Sequence, residues 1–111
     1  MSDQNLDSLK ELQQAITEYD GVLVYFSTPQ CNVCKVLRPK LIKLIEQYYP
    51  DIVCFYVDST ILPEVSGQYS VFAVPTVLLF LDGKEFTRKS RNFSPMQLMQ
   101  EIQRPWDMMH S

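Results

Sequence analysis

Val22-Leu23-Val24-Tyr25-Phe26-Ser27-Thr28-Pro29-Gln30-Cys31-Asn32-Val33-Cys34-Lys35 is the stretch that decides the fold. Its first five residues are apolar, β-branched or aromatic, with no polar alternation. Such a run suits a strand buried on both faces of a parallel sheet. Ser27 to Gln30 is a turn. A long helical pattern follows, with Val33, Val36, Leu37, Leu41, Leu44, Ile45 and Tyr48 as its apolar positions. Pro39 lies within it, where a missing N–H and a steric clash predict a kink.

The two cysteines sit where that strand turns into that helix. Cys31 is expected at the helix N-terminus, where outward-pointing N–H groups and the helix dipole stabilise a thiolate. Its pKa is expected to fall from roughly 8.5 toward about 7 or lower, with Lys35 adding a nearby cation. The two-residue spacing brings Cys34 onto the first turn, close enough to Cys31 for a disulfide. The chemistry this suggests is exchange: Cys31 attacks a target disulfide, and Cys34 then resolves the mixed disulfide. Two other readings compete. The pair is half of a zinc site only if Cys54, His110 or carboxylates complete it, and a buried structural pair is also compatible with the spacing.

Working outward, Ile52 to Val57 reads as a second buried strand. Residues 58–69 are ambiguous, a short helix or two helical turns broken near Pro63 and Gly67. Val77 to Leu81 is a third strand and Asp82-Gly83 a hairpin turn. Lys84 to Ser90 is an edge strand whose Lys84, Arg88 and Lys89 discourage aggregation. Ser94-Pro95 opens a last helix, with Met96, Met99 and Ile102 on one face, expected to end at Arg104-Pro105. Upstream, Leu6, Leu9, Leu12 and Ile16 have helical spacing. Ser8 and Glu11 fit a capping box, though Asn5 or Asp7 could cap instead. Residues 1–5 are expected to be frayed, and 105–111 to form a second flexible end around a core of 6–104. The order α, β, α, β, α, β, β, α gives one α/β domain over 1–111. Its mixed sheet has helices on both faces, the first two strands parallel and the last two an antiparallel hairpin.

The 111 residues are 46% hydrophobic and 21% charged, which is globular composition for a single domain. Ten basic against thirteen acidic residues leave a net charge of −3, which argues against a nucleic-acid binder. The N-terminus lacks a secretory pattern, and the apolar stretch Val71 to Leu81 is too short for a membrane span. A soluble cytoplasmic protein is expected. Three cysteines make a poor disulfide framework, and close pairs in a reducing compartment are more often catalytic or metal-binding.

From Leu9 to Ile102 the chain resembles the thioredoxin family. The resemblance is carried by the strand VLVYF, CNVC followed by Lys35, the kink Pro39, Asp58 ending the next strand, Val74-Pro75-Thr76 before VLLF, and Asp82-Gly83. It implies a thioredoxin-like three-layer sandwich and protein-disulfide reduction, with Cys31 as nucleophile and Cys34 as resolving thiol. It further implies that Pro75 is cis, that the Val74 backbone holds an extended target segment beside Gln30, and that no cofactor or metal is bound. The implied partners are disulfide-containing proteins and a thioredoxin-reductase-like donor, with the protein a monomer and neither nucleic acid nor membrane involved.

The departures from the family matter. Gln30 replaces a Trp and Asn32-Val33 replaces Gly-Pro. Tyr25 stands where the family has a buried Asp, and Cys54 aligns with a Lys. Losing both charges together avoids an uncompensated buried charge, and it removes a general base for Cys34. Slower resolution by Cys34 is the expected result, unless water or the Tyr25 hydroxyl relays the proton. Cys54 reads mainly as a small buried hydrophobe, with a redox role as the other reading. Arg91 replaces a glycine in the loop near the motif. The family's first strand is short or absent. A thioredoxin-fold adaptor or holdase with weak turnover is the alternative function.

Overall fold

The computed structural model describes residues 4–111. Five strands form one mixed sheet: β1 (Gln4–Asn5), β2 (Gly21–Ser27), β3 (Val53–Asp58), β4 (Thr76–Leu81) and β5 (Lys84–Ser90). Their spatial order is β1-β3-β2-β4-β5. The strand β3 runs parallel to both β1 and β2, while β2–β4 and β4–β5 are antiparallel. Four helices complete the chain: α1 (Leu9–Glu18), α2 (Cys34–Tyr48), α3 (Pro63–Gln68) and α4 (Pro95–Met109).

Every residue of β2 is buried, as its unbroken apolar run predicts. Alternate residues face opposite layers. Leu23 and Tyr25 pack with α2 and α4, and Val22, Val24 and Phe26 pack with α1 and α3. The hairpin turn places Asp82 at φ 53° and Gly83 at φ 79°, the positive pair that a two-residue loop of this hand requires. Phe86 is the extra residue of a bulge in β5, since Thr87 pairs with Leu79 and Glu85 with Phe80.

Several boundaries differ from the sequence expectation. Of residues 1–5, expected to be frayed, Gln4 and Asn5 are not: they pair with Phe55 and Tyr56 as the short first strand, and residues 1–3 lie outside those described. Leu6 is not helical; it is buried, and its N–H donates to the Tyr56 carbonyl. The helix starts at Leu9, with Ser8 as N-cap accepting from the Glu11 N–H. The Glu11 carboxylate reaches back to the Asp7 N–H, one residue earlier than a standard capping box. Pro63 opens α3 instead of breaking it. Helix α4 does not end at Pro105 but continues to Met109. The reason is tertiary. Trp106 packs edge-on against Tyr49 at 6.0 Å between ring centroids and joins the core beneath α2 and α4. A Cβ at Gly21 would lie 2.8 Å from both the Trp106 ring and Ile52, so only glycine lets the end of α4 approach β2 this closely.

Candidate active site

Cys31 and Cys34 are joined in a disulfide, with their Cα atoms 5.5 Å apart. The turn after β2 carries Cys31, whose N–H donates to the Thr28 carbonyl. The first residue of α2 is Cys34, not Cys31. Two short bonds, Lys35 N–H to Asn32 and Val36 N–H to Val33, wind the chain into the helix from Asn32 onward. Cys31 therefore stands just ahead of the helix N-terminus instead of within its first turn. Its sulfur is bonded to that of the first helical residue, so the disulfide still lies at the helix's positive end. Cys31 is partly exposed and Cys34 is buried, only 6% exposed. Of the two residues, Cys31 is the one open to solvent.

The segment before β4 completes this end of the sheet. Thr76 pairs with Phe26 near the end of β2, and the Val74–Pro75 bond before it is cis. The Arg91 N–H donates to the Pro75 carbonyl at 2.7 Å, and the Thr76 hydroxyl donates to the Ala73 carbonyl at 2.6 Å. Arg91 holds φ 61°, in the left-handed region that favours glycine. Val74 is partly exposed, Pro75 is buried, and Gln30 is exposed on the turn before Cys31.

Beneath the disulfide, Tyr25 is fully buried, and its hydroxyl has no hydrogen-bond partner. Its pKa is pushed up to about 12, chiefly by burial, which the Arg38 charge partly opposes. The phenol is therefore a proton holder, not a base, at neutral pH. Opposite it in register stands Tyr56, stacked at 6.5 Å, and the Arg38 guanidinium covers the Tyr56 ring at 3.6 Å. Cys54 is buried two residues earlier on β3, opposite Leu23. So the neighbour of Tyr25 on β3 is Tyr56, a residue the sequence comparison did not single out. The signal was available: Cys54 and Tyr56 share a strand face, and Arg38 lies one helical turn beyond Cys34.

A groove of about 800 Å³ runs from the disulfide along α2. Both cysteines, Tyr56, Lys35, Arg38 and Lys43 line it, together with Glu46. None of its lining comes from the Val74–Pro75 segment or Arg91. The zinc reading fails on placement. The His110 ring is bonded to Asp20, next to the start of β2 and so at the far end of the sheet from Cys31. Among the described residues no group of three or more His, Cys, Asp or Glu could hold a metal.

Comparison with known proteins agrees with this geometry. The family model for Thioredoxin matches residues 5–104. Thioredoxin-like protein YdfQ of Bacillus subtilis is 36% identical over 99 residues, spanning 89% of this chain and 88% of its own. The thioredoxin of the same organism is 32% identical over 88 residues, spanning 79% and 84%. The crystal structure of mitochondrial thioredoxin 3 from Saccharomyces cerevisiae, in its oxidized form, superimposes with a TM-score of 0.80 at 30% identity. That match covers 91% of this chain and 93% of the yeast one.

Proposed function

The chain belongs to the thioredoxin family and is a thiol–disulfide oxidoreductase, and from that premise we propose that it works as a protein-disulfide reductase with Cys31 as the attacking sulfur. The observation that carries this reading is the unequal burial of the two cysteines after β2. The reduced Cys31 thiolate attacks a target disulfide, one target sulfur stays bonded to Cys31, and the other leaves as a thiolate. Cys34 then attacks the Cys31 sulfur, the target's second sulfur leaves, and two electrons have passed to the target. A reductase of the kind that serves thioredoxins restores the dithiol.

In this reading the Val74 backbone and Pro75 hold an extended target segment by its main chain. The aromatic contact that Gln30 does not offer comes from Phe72, two residues before Val74 and 90% exposed. Sequence reasoning passed over Phe72 because an apolar residue in an apolar run reads as core. Lys35 and Arg91 add positive charge at the rim. Tyr25 leaves Cys34 without a carboxylate base, so mixed disulfides live longer than in a carboxylate-containing relative. Among the described residues no helix is long and apolar enough to cross a membrane. The reading places the protein in a reducing compartment, the cytoplasm, acting as a monomer.

Insulin reduction tests the reading. Wild type is expected to precipitate the insulin B chain and Cys31→Ser to lose that activity entirely. Equal rates for the two would favour an adaptor whose cysteines do not turn over. A Cys34→Ser variant is expected to accumulate mixed disulfides with its targets.

A further inference from the structure

Arg88 lies on the edge strand β5 in register with Leu78, so its side chain stands on the α1/α3 face of the sheet. Its guanidinium makes four hydrogen bonds. Two go to the Glu85 carboxylate, from Nε at 2.8 Å and from Nη2 at 2.9 Å. The other two reach across to the end of α3, from Nη2 to the Tyr69 carbonyl at 2.9 Å and from Nη1 to the Ser70 carbonyl at 3.1 Å. An exposed ion pair adds little stability by itself. Here the bidentate pair fixes the plane of the guanidinium, and that plane is aimed at two backbone carbonyls.

The turn they belong to is a costly one. The Val71 N–H donates to the Ser66 carbonyl at 2.9 Å and the Ser70 N–H to the Gly67 carbonyl at 3.3 Å, the paired bonds that close a helix through one left-handed residue. That residue is usually glycine, but here Ser70 takes the place at φ 56°. Further on, the Thr76 hydroxyl holds the Ala73 carbonyl, and the Arg91 N–H holds the Pro75 carbonyl. Along this tethered segment stand Phe72, 90% exposed, and Val74, partly exposed. These are the two residues that meet a target in the function proposed above.

Resting on the reading that this segment holds a target beside Cys31, we infer that Arg88 is a positioning residue for protein targets, with Glu85 orienting it. Arg88 acts through the turn at Ser70, not on the sulfurs. Tethering the Tyr69 and Ser70 carbonyls keeps a serine in a conformation it does not favour, and so keeps Phe72 and Val74 in the arrangement that an extended target fits. Without the tether the turn visits other arrangements, and apparent affinity for the target falls in proportion to the competent fraction. The exchange chemistry of Cys31 and Cys34 is unaltered, so a disulfide too small to reach Phe72 and Val74 reacts as before.

The test compares two second-order rates of the pre-reduced protein, one with insulin and one with hydroxyethyl disulfide, and reads their ratio. Arg88→Gln, Arg88→Lys and Glu85→Gln are each expected to lower that ratio through the insulin rate alone. Arg88→Gln should lower it most, about fivefold, the size of one net hydrogen bond. Lysine keeps the charge but cannot fork to a carboxylate and two carbonyls at once. Should Arg88→Gln fail to fold, the other two variants carry the test. Insulin is anionic at neutral pH, so a simple field effect would slow Arg88→Gln, speed Glu85→Gln and leave Arg88→Lys unchanged; that pattern overturns the inference. An unchanged ratio in every variant overturns it too, and leaves the function proposed above standing. If both rates fall together, the arginine serves the fold as a whole and the inference fails. If the wild type reduces hydroxyethyl disulfide but not insulin, protein-disulfide reduction fails and the positioning role with it.

Discussion

Tyr25 and Tyr49 are both buried on the α2/α4 side of the sheet, and they have opposite fates. Tyr49 lies where α2 ends. Its hydroxyl donates to the Met99 carbonyl at 2.8 Å, and its ring meets Trp106 edge-on. Tyr25 lies near the disulfide end, stacked on Tyr56, with a hydroxyl that bonds to nothing. Burial raises the pKa of both. A buried polar group without a partner costs free energy, and protein interiors rarely tolerate one without a reason. The end of this face far from the disulfide is built for stability, with no buried side-chain N or O atom among the described residues left unanswered. The end beneath the disulfide tolerates an unanswered one, and that is where the chemistry takes place. Among the described residues, the opposite face, under α1 and α3, is an apolar cluster with no comparable exception.

The largest effect expected from breaking this contrast is at the Tyr49 end. Gly21→Val drives a branched side chain into Ile52 and Trp106, already 2.8 Å from a bare Cβ. Overpacking of this kind costs about 2–3 kcal/mol. Chemical denaturation should show that loss with the denaturant slope unchanged, and wild-type stability in the variant would mean that α4 does not seat there. Next in size, Tyr49→Phe removes one buried hydrogen bond and should cost about 1 kcal/mol. Tyr25→Phe, chemically the same change, should do the reverse. It removes an unpartnered hydroxyl and keeps the stacked ring, so the oxidised protein should gain up to about 1 kcal/mol. Two losses of similar size would remove the distinction between the two tyrosines. Repeating the pair on reduced protein sharpens it. A hydroxyl that donates to the Cys34 sulfur once the disulfide opens would make the Tyr25→Phe gain disappear.

How much of this was legible in the sequence depends on what each signal measures. The motif, the buried strand before it, the parallel and antiparallel pairings and the hairpin followed from local pattern, because β2 is apolar throughout and Asp82-Gly83 demands positive φ. The misreadings share a cause: long-range contact overrode a local rule. Proline at 105 should stop a helix, but the seat of Trp106 beside Gly21 holds it open. Polar Gln4 and Asn5 should fray, but the free edge of β3 pairs with them. At the site, the resemblance to the family marked Tyr25 and Cys54 as departures. Only register showed that Tyr56, covered by Arg38, is what faces Tyr25. Arg91 is the reverse case, since sequence noted a missing glycine and the structure supplies the consequence, φ 61° at a non-glycine residue. Arg91→Gly should therefore stabilise the protein by about 0.5–1 kcal/mol, read as a higher midpoint of unfolding. A loss would show that the arginine side chain contributes more than its backbone conformation costs.

The smallest effect lies at the outer edge of the Tyr49 region. The His110 ring bridges the Trp106 carbonyl at 2.8 Å and the Asp20 carboxylate at 3.0 Å, one from each nitrogen. Only the protonated imidazolium can donate in both directions. Its pKa is accordingly raised, first by the Trp106 carbonyl and then by Asp20. The unfolded chain has the ordinary histidine value near 6.5, so the folded form holds its proton to higher pH. The bridge's contribution is therefore complete below about pH 6.5 and fades as pH rises through the higher folded value. An NMR titration of the His110 ring should place its midpoint above that of free histidine, and Asp20→Asn should bring it down. A midpoint at or below the free value would mean that the tail makes no such bridge in solution, and that the order of the Tyr49 region ends at Trp106.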